Sequence, residues 1–289
     1  MTYVILDLEW NGARCEQLGG YFNEIIEIGA VRLSGDRRIA ERFDAYIRPV
    51  VSRKLTRLVT NLTGITDEQV QHGVPFTQAM AELAAFAGED AVVMTWSNTD
   101  LMVLIENCRY HLKSDTIPFM RGYMDLQYYT QKRMKWGTAQ QVSLGNAAER
   151  LQLDSADMEL HHAIDDSVLS AAIFRRVYEP FSFRKAVSPV NDEFYRRLSF
   201  KPYFIREIDD PMIRRSDLRF ACERCKRNLK RTGEWQFHHR YFSAPFFCSH
   251  CHREYWGRVQ AKRKFDSVEL KKRLLVKTTE KANETEEIK

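Results

Sequence analysis

Asp7 and Glu9 stand two residues apart in Tyr3-Val4-Ile5-Leu6-Asp7-Leu8-Glu9. Asp100 follows a short apolar run, Val92-Val93-Met94-Thr95-Trp96-Ser97-Asn98-Thr99-Asp100, and His161-His162-Ala163-Ile164-Asp165-Asp166 supplies a histidine and another acid. Carboxylates gathered without basic partners repel one another, so a fold tolerates them only where a cation lies between them. Hard oxygen ligands suit Mg²⁺ or Mn²⁺. A set of this kind predicts metal-assisted phosphodiester hydrolysis. Taken singly, each acid has an ordinary explanation. Asp-x-Glu is commonly a solvated strand end, and an acid early in a helix, such as Asp166, complements the helix dipole. In company they gain meaning. Asp7 and Glu9 point to one face of a strand. Asp100 follows another strand, at the carboxyl edge where open α/β sheets bind ligands.

A second constellation lies near the other end. Cys222-Glu-Arg-Cys225 and Cys248-Ser-His-Cys251 are separated by 22 residues. Two such knuckles predict one tetrahedral Zn²⁺ site, structural because four thiolates leave no open coordination position. His250 and His252 offer alternative ligands. A redox role is the other use of a Cys-x-x-Cys pair, but two pairs in one small segment favour metal. Cys15 and Cys108 stand alone. Thiols used this way suit a reducing, cytoplasmic setting. The N-terminus enters an apolar strand directly, with no basic region or cleavage site, so no signal peptide is expected. No run of 18 apolar residues exists, and no membrane span is expected.

Around these residues the first 180 positions alternate strand-like and helical stretches. Tyr3–Leu6, Glu24–Leu33 and Arg38–Arg48 read as strands, the last two joined by a turn at Ser34-Gly35-Asp36. A helix is expected from Pro75 to Phe86, ended by Gly88-Glu89-Asp90, and a strand over Ala91–Thr95. A helix over Asp100–His111 carries Leu101, Leu104, Ile105 and Cys108 at helical spacing. Gly122–Asp125 is a fifth strand, and helices follow at Ser143–Leu151 and Ala163–Tyr178. The pattern predicts an α/β fold, a mixed five-stranded sheet flanked by helices. Residues 181–217, punctuated by prolines, read as a linker. Residues 218–257 form the zinc ribbon, Arg258–Lys272 a basic helix, and Thr278–Lys289 a disordered tail.

The net charge of +5 hides an asymmetry. Residues 1–180 hold 18 Lys and Arg against 24 Asp and Glu, a net of −6; residues 181–289 hold 26 against 15, a net of +11. One part collects cations and the other attracts a polyanion. Between the cysteine pairs, bases alternate with rings (Lys226, Arg227, Lys230, Arg231, Trp235, Phe237, Arg240, Tyr241, Phe242 among them). Most of those rings are needed as the ribbon's own core; the cations are read as phosphate contacts.

The acidic set resembles the DEDDh exonuclease superfamily, which has an RNase H-like fold. Its pattern is Asp-x-Glu, then Asp, then His-x4-Asp, and here these are Asp7 and Glu9, Asp100, and His161 and Asp166. Glu24-Ile25-Ile26-Glu27-Ile28-Gly29-Ala30-Val31, Leu62-Thr63-Gly64-Ile65-Thr66 and Tyr123-Met124-Asp125-Leu126 resemble the family's further segments. Tyr46-Ile47-Arg48-Pro49 is most similar to the branch of histone-mRNA and small-RNA 3′ exonucleases. The resemblance covers residues 1–180. It implies two Mg²⁺ or Mn²⁺ ions, with Asp7 bridging both, Glu9 and Asp166 completing one site and Asp100 serving the other. His161, on a mobile loop, would be the general base, and the product a nucleoside 5′-monophosphate. By helical spacing alone His162, four residues from Asp166, is the better partner; the family pattern favours His161. Leu8, Leu62, Thr63 and Gly64 are candidates for cradling the terminal nucleotide, although Thr63-Gly64 reads equally as a turn before a cap at Thr66. The expected partner is a single-stranded nucleic-acid end, RNA before DNA. The alternative is a non-catalytic nucleic-acid-binding or protein-docking module on a nuclease fold.

Overall fold

The computed structural model describes residues 2–153 and 161–276. The chain divides into two compact units, Met1–Leu198 and Ser199–Lys289.

In the first unit β1 (Thr2–Cys15), β2 (Gly20–Leu33) and β3 (Ile39–Tyr46) form an antiparallel meander. Three helices follow, α1 (Arg57–Thr63), α2 (Asp67–Gln71) and α3 (Phe76–Ala87). Then come β4 (Ala91–Thr95), α4 (Asn98–Leu112), β5 (Met120–Asp125), α5 (Leu126–Met134), α6 (Leu144–Arg150) and α7 (Ala163–Val177). The short α8 (Pro180–Ala186), β6 (Ser188–Pro189) and α9 (Asp192–Ser199) end the unit. The sheet order is β3-β2-β1-β4-β5-β6, with β4 parallel to β1 and to β5. The five expected strands are joined at one edge by the two-residue β6, antiparallel to β5. Residues 181–198 are thus not linker: β6 and α9 pack on this sheet, where Phe194, Tyr195 and Leu198 cover the cluster around Tyr123.

Both faces of the sheet are covered. Val4, Leu6 and Leu8 of β1 join one apolar cluster with Leu83, Leu101 and Leu104; Ile5 joins the opposite one with Leu169 and Phe174. Period-two alternation then places Asp7 and Glu9 on the face of Ile5, under α7. Packing there is close. A Cβ added at Gly29 of β2 would lie 2.1 Å from the carbonyl carbon of Ala163, so only glycine lets the start of α7 sit down on the strand.

The second unit is all β. It contains β7 (Tyr203–Phe204), β8 (Lys230–Arg231), β9 (Gln236–His238), β10 (Tyr241–Cys248), β11 (Arg253–Arg263) and β12 (Val268–Val276). The sheet runs β12-β11-β10-β8, with β7 on β11 and β9 on β10. The basic helix expected over Arg258–Lys272 is not formed. Tyr255, Gly257, Val259 and Ala261 are buried in strict alternation, a period of two that helices cannot bury, and β11 and β12 pair along their length. The ribbon therefore extends beyond residues 218–257. The expected tail Thr278–Lys289 lies outside the described residues. No described helix is long and apolar enough to cross a membrane.

Candidate active site

Asp7 and Glu9 do not end a strand. They lie inside the 14-residue β1, opposite Gly29 and Glu27 of β2, just before a bulge at Glu9/Trp10. On the other side β4 pairs only with Thr2–Ile5. Among the described residues no strand pairs with that edge of β1 beyond Ile5, and β4 leads into α4. Ser97 caps α4, Asp100 falls in its first turn, and the Asp100 carboxylate accepts the N–H groups of Leu8, of Ser97 and of its own backbone. That placement brings the third acid beside the first two, where it raises both.

The fourth acid comes from α7, the helix that covers the face of Asp7 and Glu9. Asp166 is in the first turn of α7, and the backbone of His161 hydrogen-bonds its carboxylate. His161 has φ +77°, a left-handed conformation that is rare outside glycine and held only where surroundings impose it. Its ring is exposed. Glu9, His161 and Asp166 each bring one potential ligand atom to within 4.8 Å of the others. His162 goes elsewhere: it precedes α7, and its Nδ1 lies 3.4 Å from Oε1 of Glu27. Helical spacing is no guide here, because neither histidine is inside the helix.

The electrostatics are those of acids crowded without a counter-charge. Burial first, then Asp100, Asp166 and Glu9, hold the Asp7 carboxyl well above the usual carboxylate range. Glu9 is pushed up to about 8 by burial, then Asp166, Glu27 and Asp100. Burial raises Asp100 to about 7 against its three backbone hydrogen bonds. It raises Asp166 too, which His161 opposes. No Lys or Arg forms an ion pair with any of the four among the described residues. Oδ1 of Asp166 is buried with no hydrogen-bond partner. An orphaned carboxylate oxygen facing three mutually repelling acids is what a divalent cation site requires.

The nucleotide-cradle residues divide. Leu8 is 2% exposed and packs in the core, so its side chain is not available to a base; its contribution is the N–H given to Asp100. Thr63 is buried, and its hydroxyl donates to Val59 O and accepts from Ile65 N. Gly64 ends α1 at φ +72°, and Thr66 caps α2 with a full capping box, so the turn reading of this segment is realised. Leu62 alone projects an apolar side chain, 51% exposed. The segment still borders the site: a Cβ at Gly64 would stand 4.0 Å from Nε2 of His162.

Glu27 carries no expected role, yet it anchors the site. Fully buried, it accepts the Ala163 N–H at Oε2 (3.0 Å) while Oε1 faces His162. It therefore fixes the entry of α7 and with it His161 and Asp166. The signal was a charge in the apolar run Ile25-Ile26-Glu27-Ile28, since a buried charge needs a defined partner. Glu27→Ala should lower turnover roughly 10- to 100-fold and destabilise the fold by about 1–3 kcal/mol. Glu27→Gln, which keeps the acceptor, should recover most of the stability. Steady-state kinetics and urea unfolding measure both.

In the second unit Cys222, Cys225, Cys248 and Cys251 converge, their sulfurs within 4.8 Å of one another. Sγ–Sγ separations are 4.0 Å (Cys222–Cys251) and 3.6 Å (Cys225–Cys248). Four sulfurs on a tetrahedral Zn²⁺ would lie about 3.8 Å apart. Lys226 and His252, each following a knuckle, adopt left-handed φ of +60° and +52°. Tyr255 OH lies 3.3 Å from Cys222 Sγ and lowers that thiol to about 6.

A mixed α/β sheet thus carries four converging carboxylates, two from within β1 and one each from the first turns of α4 and α7. The family model for exonucleases (RNase_T) matches residues 4–174, and the chain belongs to that exonuclease family. The probable 3′-5′ exonuclease KapD of Bacillus subtilis is 30% identical over 193 residues, 65% of this chain and 90% of that protein. A PolC-type DNA polymerase III of Thermotoga maritima is 29% identical over 179 residues, 62% of this chain; the chain spans only 12% of that polymerase. Among solved structures, the nuclease domain of 3′hExo, a DEDDh family member bound to rAMP, shares the fold. Its TM-score is 0.53 at 24% identity, over 61% of this chain and 90% of that one. Cell-death related nuclease 4 (CRN-4) has a TM-score of 0.51 at 23% identity, over 61% and 62%.

Proposed function

We propose that this enzyme removes nucleoside 5′-monophosphates one at a time from single-stranded 3′ ends, with Mg²⁺ or Mn²⁺ held by Asp7, Glu9, Asp100 and Asp166, and that it prefers RNA to DNA. The observation that carries the metal requirement is the buried, unpartnered Oδ1 of Asp166 among three acids raised by burial and then by neighbouring carboxylates. Divalent ions, when bound there, polarise the phosphate and acidify water. The protein's own part is positional. β1 presents two carboxylates on one face, α4 and α7 bring one each, and the left-handed turn at His161 keeps an imidazole at the rim. His161 takes the proton of the attacking water as general base. Leu62, exposed on α1, packs against the terminal base. The preference for RNA is supported by the similarity of Tyr46-Ile47-Arg48-Pro49 to the RNA-trimming branch. The four cysteines hold one structural Zn²⁺.

His161→Ala should cut single-turnover hydrolysis by roughly 10²- to 10⁴-fold while divalent-ion binding, read by thermal shift, persists. His162→Ala should cost far less; a dead His162 variant would assign the base to the wrong residue. The function itself is tested with 5′-labelled RNA and DNA oligomers, with each metal and with or without a 3′-phosphate block. A ladder of shortened products that the block suppresses is expected, faster on RNA. Cleavage indifferent to the block would make the enzyme an endonuclease, and no shortening with either metal would leave a binding protein.

A further inference from the structure

Residues 199–276 hold 19 Lys and Arg against 9 Asp and Glu, a net of +10. Most rings of this unit are core, as Phe220, Phe242, Phe246 and Tyr255 are buried. Tyr203 and Phe237 are not, at 54% and 38% exposed. Both line one open groove of about 860 Å³ with Phe204, Arg206 and Arg240. The exposed rings have rigid backing: Phe237 packs on buried Phe242 with centroids 5.0 Å apart. The Arg240 guanidinium stands 5.0 Å and the Lys262 ammonium 5.8 Å from the Phe204 ring centroid. Arg206, Arg240 and Lys262 take part in none of the ion pairs among the described residues. The hairpin β9–β10 closes through His239-Arg240, both left-handed at φ +46° and +68°, where such a turn ordinarily takes Asn-Gly. The strands on either side impose that turn and set Arg240 over Phe204.

We propose that this groove is a second binding site for single-stranded nucleic acid, with bases stacking on Tyr203 and Phe237 and phosphates meeting Arg206 and Arg240. Exposed rings alternating with unpaired cations are the composition that grips a single strand without reading its sequence. An acidic peptide would match the charge but offers the rings no planar face, and it would meet Glu207 and Asp210, which line the same groove. Asp210 accepts the Met212 N–H; Glu207 leaves an acceptor for a base amino group. The groove is separable from the exonuclease reading: a mononucleotide ester engages the acidic site without needing this one.

The test uses the full chain carrying Tyr203→Ala with Phe237→Ala, and separately Arg240→Ala. Two quantities are read: anisotropy of a labelled single strand of about 20 nucleotides with chelator present, and hydrolysis of the p-nitrophenyl ester of a nucleoside 5′-monophosphate with metal. The double variant should bind the oligomer about tenfold more weakly or worse, while ester hydrolysis stays within about twofold. Phe237→Trp, which keeps a planar face, should retain affinity, and duplex should compete poorly. Unchanged oligomer affinity overturns the proposal. So does competition by polyglutamate as effective as that by single strand, which would assign the groove to an acidic protein. Should wild type fail to hydrolyse ester and oligomer alike, the nuclease reading fails, and oligomer affinity still decides the groove.

Discussion

Asp7→Asn should abolish hydrolysis, by roughly 10³-fold or more, and at the same time raise the melting temperature of the metal-free protein. The two effects have one cause. Asp7 is held far above its ordinary range by burial and by Asp100, Asp166 and Glu9, so its charge opposes folding whenever no cation is present. Each of these carboxyls binds its proton more tightly in the folded chain than in the unfolded one, where Asp and Glu titrate near pH 4. As far as these groups are concerned, the metal-free fold is most stable below about pH 4 and loses that stability as pH rises, through Asp100 at about 7 and Glu9 at about 8. Wild type in chelator should therefore melt lower at pH 8 than at pH 6. Mn²⁺ should raise the melting temperature more at pH 8, by at least about 3 °C, the shift that roughly 1 kcal/mol makes in a domain of this size. In Asp7→Asn both the pH slope and the Mn²⁺ response should shrink. An ordinary structural residue would show the opposite sign, lower stability with the loss of activity. Differential scanning fluorimetry across pH, with and without metal, decides it; a metal-free Asp7→Asn protein that melts lower than wild type would count against a shared cation site.

Removing zinc should unfold the second unit and spare the first. The β-unit has two small cores, one around Phe220, Phe246 and Tyr255 with Cys222 and Cys248 inside it, the other around Ile205, Ile213 and Phe242. Units this small rarely hold together on apolar burial alone. A structural Zn²⁺ contributes on the order of 10 kcal/mol in small zinc modules, more than such a unit holds in reserve. Cys248→Ser, or treatment with a strong chelator, should release about one zinc per chain and open residues 199–276 to protease. Ester hydrolysis by the first unit should persist with Mn²⁺ restored. A chain that purifies without zinc yet resists protease in that segment would leave the four thiols as a redox or purely packing feature.

Strand and helix types followed from periodicity for β1 to β5, α3, α4, α6 and α7, with Ser143 capping α6 by accepting from Asn146 N, whereas the short α1 and α2 and the polar α5 carried no such pattern. The run from Ile25 to Val31 was readable because both of its faces are buried. Misreadings arose where local pattern and long-range pairing disagree. β1 continues to Cys15 because β2 runs beside it all the way, which no window around Asp7 can reveal. Arg258–Lys272 carries the charge of a basic helix but alternates in burial, because β12 lies alongside β11. Leu8 beside two acids suggested a nucleotide contact; its side chain instead faces the core, since neighbours on a strand point to opposite faces.

From the sequence alone came the inventory: which acids, thiols and histidines exist, in what order, and the strand-and-helix alternation able to carry them. Those are properties of residue type and short-range spacing, and the backbone obeys them locally. Only the tertiary structure decided which residues meet. Asp100 reaches Asp7 because β4 pairs with β1 only as far as Ile5 and the chain then turns into α4; His161 rather than His162 turns toward Glu9 and Asp166 because Glu27, on a distant strand, already holds the start of α7. Such choices arise from satisfying buried polar groups across long loops, and no periodicity in the chain encodes them.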